Sequence, residues 1–292
     1  MPETLVYHNA PPALLPLYAK ALLPKSGKSS GDISIPKLSA SLLGVNSANG
    51  TLPRYESICG YPHHTRVPVT WPHVMAFPLH LKLLTEKAFP LPLLGLVHLH
   101  NTITQYREIG TGENLDIHVR LGQQERSKRG IEFDLITEAY SAGKLIWEET
   151  SVTLFRQADN TESSPREKSP PPTLDRYPNT LNITVPESIG RQYASVSGDS
   201  NPIHMHALSA RAFGFPRAIA HGMWSKAHAL ALLEQQKGWK SPCFRVTCQF
   251  KKPLLLPGNA QLNWQMGQSG CDYQLLNDEG NAPHLSGHIE WL

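Results

Sequence analysis

The sequence predicts an α+β protein of two similar halves, each a central helix followed by about four antiparallel strands. Three observations carry this expectation. A proline-rich interruption lies near the middle, helical and strand-like patterns follow the same order on either side of it, and a small set of residues recurs between the two sides. At 292 residues the chain is long enough for two domains or one large one.

The interruption is residues 158–180, ADNTESSPREKSPPPTLDRYPNT, with five prolines and almost no large aliphatic side chains. Such a segment cannot bury enough apolar surface to order itself, so it reads as a linker. It separates a first domain, residues 1–157, from a second, residues 181–292. In the second, HGMWSKAHALALLEQQ (residues 221–236) has no proline or glycine after Gly222 and is apolar nearly all round, as a buried helix requires. Lys237-Gly238 is its stop. The counterpart is residues 71–87, WPHVMAFPLHLKLLTEK, where Pro72 suits a first turn and Pro78 predicts a kink or a delayed start.

Strand patterns follow each helix. Residues 131–156 alternate apolar and polar side chains around Ser141-Ala142-Gly143, and the end of the chain does the same around residues 277–281, NDEGN, so each half closes on a hairpin. Residues 97–119 and 244–266 supply a further strand, Gly-containing connection and strand in each half. The first fifty residues carry no assignable motif, and covering an edge of the first sheet is the role left for them.

Composition excludes several function classes. A net charge of +3 with dispersed basic residues gives no nucleic-acid surface, and the one short cluster, Arg126, Lys128 and Arg129, reads as a solvated loop. Cys59, Cys243, Cys248 and Cys271 form no Cys-x-x-Cys pair, which points to reduced thiols rather than a zinc knuckle or disulfide scaffold. The apolar runs at residues 13–23 and 89–97 are short and broken by proline, so a cytoplasmic protein without a secretory signal or membrane span is expected.

Laying the halves together isolates the chemistry. Tyr55-x-x-x-Cys59-Gly60-Tyr61 matches Tyr193-x-x-x-Ser197-Gly198-Asp199, and His73-Val74-Met75 matches His221-Gly222-Met223. Gly60 to His73 is 13 positions and Gly198 to His221 is 23, ten more, and the longer interval holds Asp199, Asn201 and His204. Asp-Ser-Asn-Pro is turn chemistry, because Asx side chains bond nearby backbone and Pro202 pushes Asn201 out of the helical region. A turn of this kind can face a carboxylate and an imidazole toward one water. Metal ligation by the same pair is disfavoured, since no Cys-His or His-x-x-x-His set stands beside it.

The string Tyr193-Ala-x-x-Ser197-Gly198-Asp199-x-Asn201-Pro202-Ile203-His204, with Phe213-Gly214-Phe215, Ile219-Ala220-His221-Gly222-Met223, Phe250-Lys251-Lys252-Pro253 and Pro257-Gly258, resembles the MaoC-like (R)-specific enoyl-CoA hydratase and acyl dehydratase family. The resemblance implies a double hotdog, two antiparallel sheets each wrapped around a central helix, with a degenerate first half: Tyr61 replaces Asp199 and Val74 replaces Gly222. It implies a hydro-lyase of fatty acid metabolism that reversibly hydrates a trans-2-enoyl thioester to the (R)-3-hydroxyacyl thioester. Asp199 and His204 are then the catalytic residues, and Asn201 and Gly222 face the substrate. The backbone N–H of Gly222, opening the central helix with no side chain in the way, suits an oxyanion hole. No metal or redox cofactor is implied, the carrier being coenzyme A or an acyl carrier protein as part of the substrate. The chain is a pseudo-dimer in itself, and a homo-dimer is left open. A hotdog thioesterase and a non-catalytic acyl-thioester binding subunit are the alternatives.

His206, His228 and His63-His64 read as packing or surface residues, and His221 as fixing the helix start. Lys251, Lys252 and Arg217 are candidates to attract the phosphates of the carrier.

Overall fold

A computed structural model describes residues 4–21, 25, 33–62, 65–157 and 174–292. Residues 158–173 of the expected linker and the pair His63-His64 lie outside the described residues.

The two predicted central helices both form. They are α3 (Trp71–Thr85) and α7 (Gly222–Glu234), after α1 (Leu14–Ala21), α2 (Leu52–Cys59), α4 (Ile189–Ser197), α5 (Pro202–Met205) and α6 (Ala207–Arg211). α3 runs through Pro78, so the proline neither delays nor ends it. Eleven of its fifteen residues are buried, and this packing outweighs the backbone bond that a proline lacks.

Four strands follow each central helix, as the patterns predict: β3 (Leu96–Gln105), β4 (Asn114–Ser127), β5 (Gly130–Ser141) and β6 (Lys144–Arg156) in the first half, then β8 (Phe244–Phe250), β9 (Gly258–Met266), β10 (Gly270–Asn277) and β11 (Pro283–Trp291) in the second. Each half also has an earlier strand that the patterns did not reveal, β2 (Ser39–Asn46) and β7 (Asn179–Val185), so the last two residues of the expected linker are already strand. β1 (Leu5–His8) adds in parallel to β2 and covers that edge. The β5–β6 turn places Ala142 and Gly143 at φ 47° and 75°, the geometry of a tight two-residue hairpin.

The strand order is β1-β2-β4-β5-β6-β3-β8-β11-β10-β9-β7, so the order β2-β4-β5-β6-β3 recurs in mirror sequence as β8-β11-β10-β9-β7. The half-sheets join edge to edge through the antiparallel pair β3–β8, in which Ile103 faces Val246 and Thr102 faces Thr247, making one continuous sheet. Its concave side is read directly from period-two burial: Leu115, Ile117, Val119 and Leu121 on β4, and Ile131, Phe133, Leu135 and Ala139 on β5, all turn inward. Burial of side chains of this size stabilises by roughly 1.5–3 kcal/mol each.

The sequence repeat is also a repeat of backbone. Gly60 after α2 and Gly198 after α4 are both left-handed caps, at φ 83° and 78°, and Tyr55 and Tyr193 sit with ring centroids 6.1 Å apart where the two halves meet. The ten extra residues of the second half become α5 and α6, a short overhang between α4 and α7.

Candidate active site

Asp199 follows the Gly198 cap, which turns the chain sharply out of α4. Its Oδ1 accepts from the Asn201 backbone N–H at 3.2 Å, and Asn201 Oδ1 in turn accepts from Ile203 N–H as the N-cap of α5. The Asn-Pro pair therefore serves the turn: Asn201 lines the cavity, but its carboxamide oxygen is occupied in holding α5. α5 carries His204, which is buried, inward.

Three groups converge. His204 Nδ1–H donates to the Ile219 carbonyl at 2.8 Å, and the bond fixes the neutral tautomer whose Nε2 is an acceptor. His221 stacks on His204 with centroids 3.7 Å apart, donates from Nε2 to the Asp199 carbonyl at 2.9 Å, and lies 3.8 Å from its carboxylate. Ligand atoms of Asp199, His204 and His221 all fall within 4.8 Å of one another. Burial lowers the His204 pKa, against the Asp199 charge and the Ile219 hydrogen bond, which raise it. Both rings are kept neutral, His204 as a proton acceptor beside a carboxylate whose side chain is one-third exposed.

His221 does more than start the helix, since it holds both the Asp199 backbone and the plane of His204. Burial first, then the neighbouring His204, push its pKa from 6.5 to about 3, against the Asp199 charge and hydrogen bond. The unfolded chain therefore binds this proton first. Stability is complete above pH 6.5 and is lost as pH falls from there toward 3. Urea unfolding near pH 5 should show at least about 2 kcal/mol less stability than near pH 7.5. His80 and His98 are held neutral by burial in the same way, so the share of His221 is the part of the pH 5 loss that His221→Gln removes, and an equal loss in both proteins would mean that His221 is not held neutral.

Gly222 opens α7, and its N–H has no carbonyl earlier in the helix to meet. A Cβ here would stand 2.9 Å from the Phe250 ring of β8, so any larger residue would have to displace that ring. All four residues expected at the site, Asp199, Asn201, His204 and Gly222, line one cavity of about 2110 Å³ that continues into the first half.

Two features escaped sequence reasoning. α1 belongs to the site: Tyr18 Oη donates to the Gly198 carbonyl at 2.6 Å and accepts from Ser200 N–H at 2.7 Å, clamping the turn on both sides of Asp199. Its signal was a lone tyrosine in a segment without a motif. Tyr18→Phe should cost about 1–3 kcal/mol of unfolding free energy, the equivalent of its two hydrogen bonds, and lower kcat about tenfold as the turn that carries Asp199 loosens. A kcat equal to the wild type would remove Tyr18 from the positioning machinery. The second feature is the cavity rim, where Lys128 and Arg129 of the β4–β5 turn and Arg156 stand with Lys251 and Lys252 of the other half. That turn is solvent-exposed, as expected, and its Lys128 and Arg129 also line the cavity. Arg217 instead donates to the Pro257 carbonyl. His206 is exposed at the start of α6, and His228 packs on Trp224 and bonds the Cys59 carbonyl, as expected of structural histidines.

Cys59, Cys243, Cys248 and Cys271 are all free thiols. No helix among the described residues is long and apolar enough to cross a membrane.

Two hotdog units in one chain that share a sheet define a double hotdog, and among the described residues the Asp199-His204-His221 cluster lies on the second unit. The MaoC like domain pattern matches residues 169–271. The chain is 35% identical over 241 residues to 3-hydroxyacyl-thioester dehydratase X of Mycobacterium tuberculosis, spanning 82% of this chain and 84% of that protein. It belongs to the MaoC-like dehydratase family. The crystal structure of HtdX from Mycobacterium tuberculosis superposes with a TM-score of 0.75 at 31% identity, covering 86% of this chain and 99% of that one. A stretch of 139 residues, 46% of this chain, is 32% identical to Fatty acid synthase subunit beta of Saccharomyces cerevisiae but spans 6% of that protein.

Proposed function

We propose that this chain catalyses the reversible addition of water to the trans-2 double bond of an acyl thioester, forming the (R)-3-hydroxyacyl thioester, with Asp199 and His204 exchanging protons with water and substrate. The observation that carries the reading is the tautomer lock on His204. Its Nδ1–H is committed to Ile219, which leaves Nε2 as an acceptor beside the Asp199 carboxylate on the cavity wall.

In the hydration direction, water loses a proton to the pair as its oxygen bonds to C3, and C2 gains a proton as the double-bond electrons move toward the thioester. The two groups titrate as a coupled pair, so the site as a whole is both base and acid. Negative charge gathers on the thioester oxygen in between. The Gly222 N–H at the positive end of α7 is the donor placed for it, and removing one such donor typically costs 10²- to 10³-fold in rate. The first half completes the cavity without an aspartate of its own at Tyr61.

The thioester carrier follows from the rim. Lys128, Arg129, Arg156, Lys251 and Lys252 surround the opening from both halves and suit the phosphates of coenzyme A or of a carrier protein's pantetheine arm. The direct test is loss of the conjugated thioester absorbance of crotonyl-CoA and a longer trans-2-enoyl-CoA, with chiral analysis of the product. Turnover to the (R) alcohol supports the reading. Failure on coenzyme A and carrier-protein thioesters alike, with acyl thioester still bound, would make the chain a binding subunit.

A further inference from the structure

The cavity does not become uniformly apolar as it enters the first half. Among Leu81, Leu84 and Leu135 stand His73 and Ser151, and an unbranched alkyl chain offers neither a partner, whereas His80 beside them is already bonded to Thr137. Facing apolar ligand atoms with unpaired polar groups is costly, so a wall of this kind is matched to a ligand that is itself polar there.

The groups are held in place. Glu149 on β6 is buried and accepts from His73 Nδ1, 2.9 Å from each carboxylate oxygen. That turns His73 Nε2 outward from the carboxylate on a ring that lines the cavity, and Nε2 has no partner among the described residues. Ser151, two residues further along β6 and on the same face, accepts from Asn101 Nδ2 at 2.9 Å, so its own hydroxyl proton is left to donate. Asn101 also donates to Glu149, and Lys226 donates to Asn101, which closes the network behind the wall. His73 occupies the position that His221 holds in the second half, but its carboxylate partner comes from a strand rather than a turn.

We propose that His73 and Ser151 form a second polar subsite in the acyl cavity, which takes a hydroxyl group carried on the acyl chain beyond C3. A hydroxyl both donates and accepts, so it can pair with His73 Nε2 or with Ser151 Oγ, whichever of the two supplies a proton. Neither a methylene nor a carboxylate does this beside Glu149, the first offering no polar atom and the second a like charge. The subsite rests on the acyl-thioester reading above and adds a substrate class to it: acyl chains already oxygenated at a second position. A reaction that hydroxylates the chain, or that joins a hydroxylated unit to it, must then come earlier in the sequence of steps.

The test is calorimetric binding of saturated acyl-CoA of one chain length, unsubstituted or with a single hydroxyl moved stepwise along the chain, to the full-length wild type, Ser151→Ala, His73→Phe and His73→Asn. At one position the hydroxyl should tighten binding about tenfold over the unsubstituted chain, the yield of one to two hydrogen bonds. The advantage should fall at least threefold in Ser151→Ala and vanish in His73→Phe. His73→Asn, whose Nδ2 takes the place of the ring Nδ1 and keeps a donor for Glu149 while leaving no atom at Nε2, stands in if the phenylalanine variant does not fold. No preferred position in the wild type, or a preference that survives both substitutions, overturns the subsite. Binding needs no turnover, so a wild type that fails to hydrate enoyl-CoA would overturn the reaction while leaving this comparison readable.

Discussion

Asp199→Asn and His204→Asn should each lower kcat for hydration of a trans-2-enoyl-CoA by about 10²- to 10⁴-fold, the range that a positioned acid or base supplies. Both substitutions keep the local ties. Asparagine at 199 retains an oxygen for the Asn201 N–H, and asparagine at 204, whose Nδ2 takes the place of the ring Nδ1, retains an N–H for the Ile219 carbonyl, so neither turn nor overhang loses its tie. What each removes is a protonatable atom on the cavity wall. KM should move far less than kcat, because protons are transferred in the transition state rather than in substrate binding. The double variant should be little worse than either single one, since two groups serving one water act as a unit. Wild-type kcat in either variant, measured by the conjugated-thioester absorbance beside wild type, would take that residue out of the reaction. Multiplicative losses would mean that the residues act in separate steps.

Much of this site was legible because its chemistry is local in sequence. Asp199, Asn201, Pro202 and His204 lie within six positions, and turn rules alone bring the carboxylate and imidazole together. The halves were legible because hydrophobic period and the recurring Tyr-x-x-x-(Cys/Ser)-Gly step survive in both. Other features depend on contacts distant in sequence. Tyr18 reaches Gly198 across 180 positions, and no periodicity in a segment of mixed helical composition announces it. β7 reads NTLNITV, too short and too exposed on its outer residues to stand out beside a proline-rich stretch, yet it finishes the sheet by pairing with β9. Lys128 and Arg129 looked like an ordinary charged turn, and only the closure of β4, β5 and β6 around the cavity sets them opposite Lys251 and Lys252. Joining the half-sheets through β3 and β8 was equally hidden, because an edge strand and a central strand have the same period.

The largest stability effect should come from Glu149→Leu, at roughly 3–5 kcal/mol, the usual loss when one partner of a buried ionic network is removed. Lys226 lies on α7, one turn beyond Gly222, with no exposed surface, and its ammonium donates to the Asn101 side chain and backbone carbonyl and to the Val246 carbonyl. Burial lowers its pKa to about 8, against the charges of Cys248 and Glu149, which raise it. Burial would likewise raise the Glu149 pKa, but His73, by charge and hydrogen bond, with His80 and Asn101, brings it down to about 2. The carboxylate is therefore the counter-charge for a lysine buried across the β3–β8 junction, with Asn101 relaying between them. Leucine at 149 takes the counter-charge from Lys226, the acceptor from His73 Nδ1 and one of two acceptors from Asn101 Nδ2. Lys226→Met alone should also destabilise, leaving the carboxylate with His73 and the Asn101 oxygen without a donor. Glu149→Leu with Lys226→Met should recover at least about 1–2 kcal/mol relative to the sum of the singles, because no uncompensated charge remains inside. Urea unfolding of the four proteins completes the cycle. Strict additivity would show that the two charges do not sense each other through Asn101. The consequence reaches the reaction, because the same lysine pins the first turns of α7 to β3 and β8 and so fixes where the Gly222 N–H points. A double variant that regains stability but not kcat would separate the network's contribution to folding from its contribution to aiming that donor.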